Sequence, residues 1–522
     1  MTDKDMRELL AETDEAHRQI EDAGRPDAVA KRHTRNQMTA RERIAQLVDE
    51  GSFNEIGALV EPLRDNRFNA ELKAPADGIV TGSATIDGRP VNVASHDYTV
   101  HGGSSGKVGS RKLNQLMERS ADHGLPLVLL LEGGGHRIQD GMNAAHFAGA
   151  GPVFQNIAHL SGWVPIVTAM MGQGFAGPTN YAALADFVVM VRGMATMGLA
   201  GPALVKAGTG EEIDKESLGG AAVQADRQGI ADLAVDSEAE CLAAVRRFLS
   251  YLPSNAAKPL AIAESDEPAD RRDETLLDLV PADSRRVYDV RKVIEAIADR
   301  DSLFELKPGY ARNVVTGFAR LAGRPVGFVA NQPQRMGGIL DSPASEKAAH
   351  FIGLCDAYGL PLVMLIDVPG FSIGPSAERT SLGRRSGRLF FELGIATVPR
   401  VSVVLRKGYG GGYYAMGGGR GFGADACFAW PTAEICAMSI EGAVNVAFRR
   451  QIAEADDPEQ ARAAMIERIK SDTGAVNAAA DFGVDAVIDP RDTRRLLIDT
   501  FARTAPRRPS KAPPRVRPIS PI

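Results

Sequence analysis

Arg406-Lys-Gly-Tyr-Gly-Gly-Gly-Tyr-Tyr-Ala-Met-Gly-Gly-Gly419 places seven glycines in fourteen residues. Neither a strand nor a helix interior suits that run, because each glycine there costs about 1 kcal/mol relative to alanine. A strand-like segment, Val398-Pro-Arg-Val-Ser-Val-Val-Leu405, leads into it, and Ala424 to Trp430 is mostly apolar again behind it. Strand, glycine turn and small residues entering a helix bring several backbone N–H groups together, which makes an anion or oxyanion site. The plainer alternative is a tight turn with close packing.

A second copy of the pattern weighs on that choice. Gly124-Leu-Pro-Leu-Val-Leu-Leu-Leu131 recurs as Gly359-Leu-Pro-Leu-Val-Met-Leu-Ile366, an offset of 235 from Pro126 to Pro361. Trp163-Val-Pro-Ile-Val recurs as Thr397-Val-Pro-Arg-Val, an offset of 234 from Pro165 to Pro399. At 235, Ala176-Gly177 falls on Gly411-Gly412. Common offsets of this kind mark a duplicated domain. The polar, proline-containing segment 253–283 reads as the linker, which predicts an N-terminal domain over 1–265 and a C-terminal domain over 266–522.

Near the start of the chain, 3–23 and Met38–Val48 read as helices. Ile79–Ile86, the turn Asp87-Gly88 and Pro90–Ser95 read as a hairpin. From Ser110 helix and strand alternate: helix 111–123, strand 126–131, Gly133-Gly-Gly135, helix 143–160, strand 164–170 and a glycine turn at 172–177. Continuous apolar strands alternating with helices predict buried, mostly parallel sheets, an α/β class. The tail Thr504–Ile522, with six prolines and five Lys/Arg, reads as a surface strap or disorder.

Composition narrows the function. A net charge of −6 over 522 residues marks no nucleic-acid surface. No apolar run approaches ~18 residues, so no membrane span is expected. The first residues carry no apolar targeting segment, and Cys241, Cys355, Cys427 and Cys436 are scattered without a CxxC, as in a reducing, cytoplasmic setting with no metal site. Neither glycine turn matches a GxxxxGK[ST] phosphate loop. Gly133-Gly-Gly-His-Arg137 follows a strand closely, so its N–H groups and Arg137 could line a ligand; Asp367-Val-Pro-Gly-Phe371 is its counterpart. His136 invites a general-base reading, although a lone histidine in a glycine loop is commonly a surface hydrogen-bonding residue. Without a Ser-His-Asp order, an HExxH or a carboxylate pair, catalysis would rest on backbone dipoles and on a cofactor's own chemistry.

Met38-Thr-Ala-Arg-Glu-Arg-Ile44, Asp77-Gly-Ile-Val-Thr-Gly82, Asp87-Gly-Arg-Pro-Val91, Leu218-Gly-Gly220 and Tyr251-Leu-Pro-Ser-Asn255 resemble the first domain of biotin-dependent carboxyltransferases. Asn331-Gln-Pro333, Ser345-Glu-Lys-Ala-Ala349, Asp367-Val-Pro-Gly-Phe371, Arg406-Lys-Gly-Tyr-Gly-Gly-Gly-Tyr413, Ala429-Trp-Pro-Thr432 and Glu441-Gly-Ala-Val-Asn445 resemble the second. The resemblance is to the propionyl-CoA carboxylase β-subunit type and runs from about residue 25 to 503.

It implies two tandem crotonase-like domains and a ring-shaped hexamer, with active sites between the first domain of one subunit and the second of another. Acyl-CoA would bind the first domain and carboxybiotin the second. Carboxybiotin would release CO2, the biotin enolate would take the acyl α-proton, and the acyl enolate would capture the CO2. By position, Gly411 and Gly412 would hold the biotin ureido oxygen, and Ala176 and Gly177 the thioester oxygen. Gly134, Gly135, His136, Arg137, Phe175 and Pro178 on one side, with Pro369, Gly370, Phe371 and Tyr414 on the other, would contact substrate. No Ala-Met-Lys-Met biotinylation motif occurs, so biotin is expected on a partner biotin carboxylase and carrier chain.

Three departures bear on substrate. Gln173-Gly-Phe-Ala-Gly177 stands where Pro-Cys-Ala-Gly-Gly is common, and Gly133-Gly-Gly-His-Arg137 where Ser-Gly-Gly-Ala-Arg is usual. Tyr414 replaces the Asp typical of propionyl-CoA enzymes and the Ile of some acetyl-CoA ones. Phe175 and Tyr414 could close on a short acyl group or stack on a flat one. The reverse, decarboxylating direction and a non-catalytic paralogue are the alternatives.

Overall fold

The computed structural model describes residues 4–148, 151–507 and 519. The chain forms two compact units that divide between Lys258 and Pro259, inside the proline-containing segment 253–283.

The first unit holds a sheet of β1 (Asn54–Glu55), β2 (Ile79–Ile86), β3 (Arg89–His96), β4 (Leu127–Gly133), β5 (Ile166–Phe175), β6 (Phe187–Val191), β7 (Thr196–Gly198) and β8 (Leu233–Val235). Strands β1, β2 and β3 are antiparallel; β3, β4, β5, β6 and β8 follow in parallel, and β7 pairs with the far end of β5. The hairpin turns at Asp87-Gly88, both left-handed at φ 50° and 74°, as a two-residue turn matching strand twist requires. Strand β4 is buried at every position, which explains the apolar run Leu127–Leu131.

The second unit repeats the plan with β9 (Phe304–Leu306), β10 (Val314–Leu321), β11 (Arg324–Asn331), β12 (Leu362–Val368), β13 (Arg400–Tyr409), β14 (Ala426–Ala429), β15 (Glu434–Cys436) and β16 (Ala486–Val487). Strands β9, β10 and β11 are antiparallel, β11 to β14 and β16 are parallel, and β15 joins the far end of β13. Each unit packs its own core, around Leu129, Met170 and Met190 in one and Phe328, Leu365 and Val403 in the other. The expected helix 143–160 is two helices, Ala144–Ala148 and Val153–Leu160, with Pro152 heading the second. Most of the proline-rich tail lies outside the described residues. Of it, Arg507 donates to Ala357 O at 2.9 Å and the Ile519 amide donates to Ser161 Oγ at 2.8 Å.

A carboxylate secures the first hairpin. Asp49 accepts from Thr85 Oγ1 at 2.7 Å and from the amides of Gly88 at 2.8 Å and Asp87 at 3.0 Å. These bonds, the Thr85 hydroxyl foremost, hold its carboxyl at about 2. A carboxyl lowered in the folded state stabilises above its ordinary range and loses that contribution as pH falls toward 2. Asp49→Asn is therefore expected to flatten the fall of the unfolding midpoint between about pH 4 and pH 2; unfolding scans of both proteins across that range measure it.

Candidate functional site

The two glycine turns sit at the same place in the two sheets. Strand β5 ends at Phe175, Ala176 turns the chain at φ 58°, and a helix starts at Gly177. Strand β13 ends at Tyr409, Gly410 turns at φ 57°, and its helix carries Gly411 and Gly412. Strand register fixes the equivalence: Gln173-Gly-Phe175 pairs with β7 as Lys407-Gly-Tyr409 pairs with β15. The offset at the turn is 234, so Ala176 corresponds to Gly410 and Gly177 to Gly411. This corrects the pairing of Ala176-Gly177 with Gly411-Gly412.

It also separates the expected donors. The Ala176 amide donates to Gly198 O at 2.9 Å, because β7 runs alongside the turn. Among the described residues that amide is committed, and Gly177 presents the N–H of this turn, the first amides of a helix having no acceptor within it. In the second unit Gly411 is exposed, whereas Gly412 is buried so closely that a Cβ there would stand 2.9 Å from Gly370 Cα.

A loop from the preceding strand abuts each turn. After β4, Gly133–Arg137 is tied to Ser105, whose amide donates to Gly135 O at 2.8 Å and whose carbonyl accepts from Arg137 N at 2.9 Å. After β12 the same ladder recurs: Leu340 N to Gly370 O at 3.0 Å, and Ser372 N to Leu340 O at 2.8 Å. Gly135 is left-handed at φ 76°, and a Cβ on it would lie 3.2 Å from Gly177 N. Each unit thus holds a strand-end loop against a glycine turn, the arrangement that aims backbone N–H groups at one developing negative oxygen.

Beside the first turn lies a cavity of about 480 Å³, lined by Tyr98, His101, Ser104, Gly133, Gly134, His136, Ile138, Gln139, Gln173 and Phe175, among others. Of the residues expected to contact substrate, Gly134, His136 and Phe175 line this cavity; Pro178 is buried in the helix's first turn. The sequence reading missed Tyr98, His101, Ser104 and Gln139. The one local signal was His101-Gly102-Gly103, a left-handed run with φ 46°, 64° and 71°. The His136 ring is half-buried and stands edge-on to Phe147 at 5.6 Å, 84°.

Arg137 requires a correction. Its side chain is 1% exposed and turned into the protein. Its guanidinium meets Asp77 Oδ1 at 2.6 Å and Asp140 Oδ2 at 3.3 Å and donates to Ser104 O at 3.2 Å. Two buried carboxylates claim the cation, so Arg137 anchors the loop and does not line the cavity.

In the second unit the Phe371 ring lies over Gly411, 3.3 Å from where a Cβ would stand. Pro369 and Gly370 form the loop before it, both half-buried. Tyr414 is 51% exposed and leans on Tyr413 at 5.5 Å, whereas Tyr413 is buried. Arg406, which opens the glycine run, is buried on Asp367 at 3.0 Å. The corresponding carboxylate of the first unit, Glu132, is held by Arg32 at 2.9 Å and Arg43 at 2.6 Å. Among the described residues no cluster of His, Cys, Asp and Glu could hold a metal ion, and no helix is long and apolar enough to cross a membrane.

The carboxyl transferase domain family matches residues 31–518. The chain is 42% identical over 498 residues to the methylmalonyl-CoA carboxyltransferase 12S subunit of Propionibacterium freudenreichii subsp. shermanii, 94% of each chain. It is 39% identical over 496 residues to the propionyl-CoA carboxylase carboxyltransferase subunit of Haloferax mediterranei, covering 94% of this chain and 95% of that one. Among solved structures it superposes on transcarboxylase 12S, a hexamer with methylmalonyl-CoA and methylmalonic acid bound, at a TM-score of 0.92 and 39% identity, covering 98% and 99% of the two chains. Duplicated crotonase-like sheets, paired glycine turns and these likenesses over almost the whole length agree, and the chain belongs to the carboxyl transferase family.

Proposed function

We propose that this chain is the carboxyltransferase subunit of a biotin-dependent acyl-CoA carboxylase, taking the acyl thioester on its first unit and carboxylated biotin on its second. The observation that carries the reading is the duplicated turn, in which Gly177 and Gly411 occupy equivalent positions behind equivalent loops. Two oxygens acquire negative charge in such a transfer, one on a thioester and one on a ureido carbonyl. Preorganised amides stabilise both, each amide contributing on the order of 10²-fold or more in rate. The second turn fits a flat ureido ring: Gly411 is exposed and walled by the Phe371 ring. Bound there, carboxybiotin supplies the carboxyl group and the base that removes the acyl α-proton. Gly177 polarises the thioester carbonyl, Phe175 shields one side of the cavity, and Gly135 leaves the approach to Gly177 open.

In this reading biotin arrives on a partner carrier chain, in line with relatives that are themselves subunits of such complexes. The chain works in the cytoplasm, as a hexamer. Mixing the purified protein with free biotin and malonyl- or methylmalonyl-CoA, in both directions, tests the reading. Carboxyl exchange is the expected result, and its absence with every acyl-CoA, even beside a biotinylated carrier, overturns it.

Tyr414 sets acyl preference in this reading, being exposed three residues beyond Gly411. Tyr414→Asp is expected to shift the kcat/KM ratio of propionyl- to acetyl-CoA by about tenfold or more, the range that pocket contacts discriminate. An unchanged acyl profile removes Tyr414 from the pocket.

A further inference from the structure

Each unit buries one lysine on the long helix that follows its hairpin, and the two stand at equivalent positions. Lys112, on helix Lys107–His123, is 7% exposed; Lys347, on helix Ser342–Tyr358, is 1% exposed. Neither touches the turns described above. Both ammonium groups reach back to carbonyls of the segment entering the hairpin. Lys112 Nζ donates to Ala76 O at 3.2 Å and Ile79 O at 2.6 Å. Lys347 Nζ donates to Lys307 O at 2.8 Å, Tyr310 O at 2.9 Å and Val314 O at 2.8 Å. Val314 is the counterpart of Ile79, each being the first residue of its hairpin strand.

The segments they hold are strained. Ala76 and Asp77 are left-handed at φ 50° each, and so are Lys307 at 54° and Ala311 at 43°. Such residues persist only where the surroundings over-determine them. A cationic donor buried among carbonyls does that.

The strained segments lead to the catalytic loops. In the first unit Asp77 accepts from Gly109 N at 2.7 Å and pairs with Arg137, whose amide closes the Ser105 ladder onto Gly135. In the second, Asn313 Nδ2 donates to Ile339 O at 2.7 Å and Asp341 Oδ1 at 3.2 Å, beside Leu340, which carries the ladder onto Gly370. The connection is the same in both units, with different side chains in the middle. Burial, the largest influence on Lys112, lowers it to about 8 against the opposing pull of Glu55 and Asp77.

We infer that Lys112 and Lys347 are paired positioning residues, each holding the donor loop of its own unit, Gly133–Arg137 and Pro369–Ser372, in register with the glycine turn beside it. The proposal rests on the reading of the first unit as the acyl-CoA half and the second as the biotin half. A lysine serving stability alone would depress both halves when removed, whereas a positioning lysine affects one.

The test uses the full-length protein with free biotin and methylmalonyl-CoA as probes, and compares Lys112→Met with Lys347→Met. Lys112→Met is expected to raise the KM for the CoA ester by about tenfold, leaving the KM for biotin within about twofold, in line with small misplacements of reacting groups. Lys347→Met is expected to do the reverse. Amide exchange reads the loops directly: faster exchange at 133–137 in the first variant and at 370–372 in the second, with the opposite loop unchanged. Lys112→Arg and Lys347→Arg, which keep a cationic donor, are expected to recover part of the effect, and they stand in if a methionine variant does not fold. Equal changes in both KM values, or loop exchange unmoved in both variants, overturn the proposal. Correct loop exchange with the two KM effects interchanged supports the positioning role and overturns the assignment of the halves.

Discussion

Gly135→Ala is expected to lower carboxyl transfer by about 10²- to 10³-fold while the protein still folds. Two physical effects combine. The residue is left-handed at φ 76°, which costs an alanine roughly 1–2 kcal/mol. Most of that strain falls on a short loop that the Ser105 ladder already holds at Gly135 and Arg137. The larger effect is steric. The new methyl carbon would stand 3.2 Å from Gly177 N and 3.3 Å from Ala176 Cβ, within the shell where an oxygen accepting from Gly177 must stand. With Ala176 N already donating to Gly198 O, this turn has no second amide to take over. Steady-state kinetics with methylmalonyl-CoA and free biotin would show the loss in kcat, with circular dichroism and the thermal midpoint close to the parent. A variant retaining more than about a tenth of parental kcat removes Gly177 from the reaction.

The sequence made the duplication and both glycine turns legible because their signals are local. Apolar strands after Gly-Leu-Pro, the prolines at 165 and 399, and the Asp-Gly hairpin turn each announce themselves within a few residues. The pairing of the turns is misread when the earlier offset of 235 is carried past Pro165. The segment between β4 and β5 is one residue longer than its counterpart, so the offset drops from 235 to 234 before the turn. Matching like with like then set Ala176-Gly177 against Gly411-Gly412. The offset of 234 from Pro165 to Pro399 already carries the shift, and the pairing of β5 with β7, and of β13 with β15, fixes it at the turn. The same β7 takes the Ala176 amide, a partner twenty-two residues on that no motif names. Arg137 misled for a similar reason. A cation in a glycine loop reads as an anion binder, while its partner Asp77 lies 60 positions away in a left-handed conformation that the residue type does not advertise. The roles of Lys112 and Lys347 were not legible either, since burial of an ammonium among carbonyls is a tertiary fact.

Arg137→Met is expected to destabilise the first unit by about 3–5 kcal/mol, the range for removing one partner of a buried ion cluster. The guanidinium serves Asp77, which is fully buried, and Asp140, which is 1% exposed. Asp140 retains Asn69 Nδ2 at 2.7 Å and Asp77 retains the Gly109 amide at 2.7 Å, but neither keeps the paired guanidinium, and Lys112 acts on Asp77 only through space. Methionine matches much of the arginine's length and leaves its volume filled, so the loss is electrostatic and not a cavity effect. Urea unfolding at fixed protein concentration would show it as an earlier transition, with transfer activity falling in step as the Gly133–Arg137 loop loosens. A direct ligand contact predicts something different: an unmoved unfolding midpoint with a raised KM for the CoA ester. The decisive variant is the triple substitution Arg137→Met, Asp77→Asn, Asp140→Asn. Asparagine preserves the acceptor for Gly109 without a buried charge, so stability is expected to recover well beyond the single variant, because coupled residues are non-additive. If the three losses instead add, the cluster is not what holds the loop.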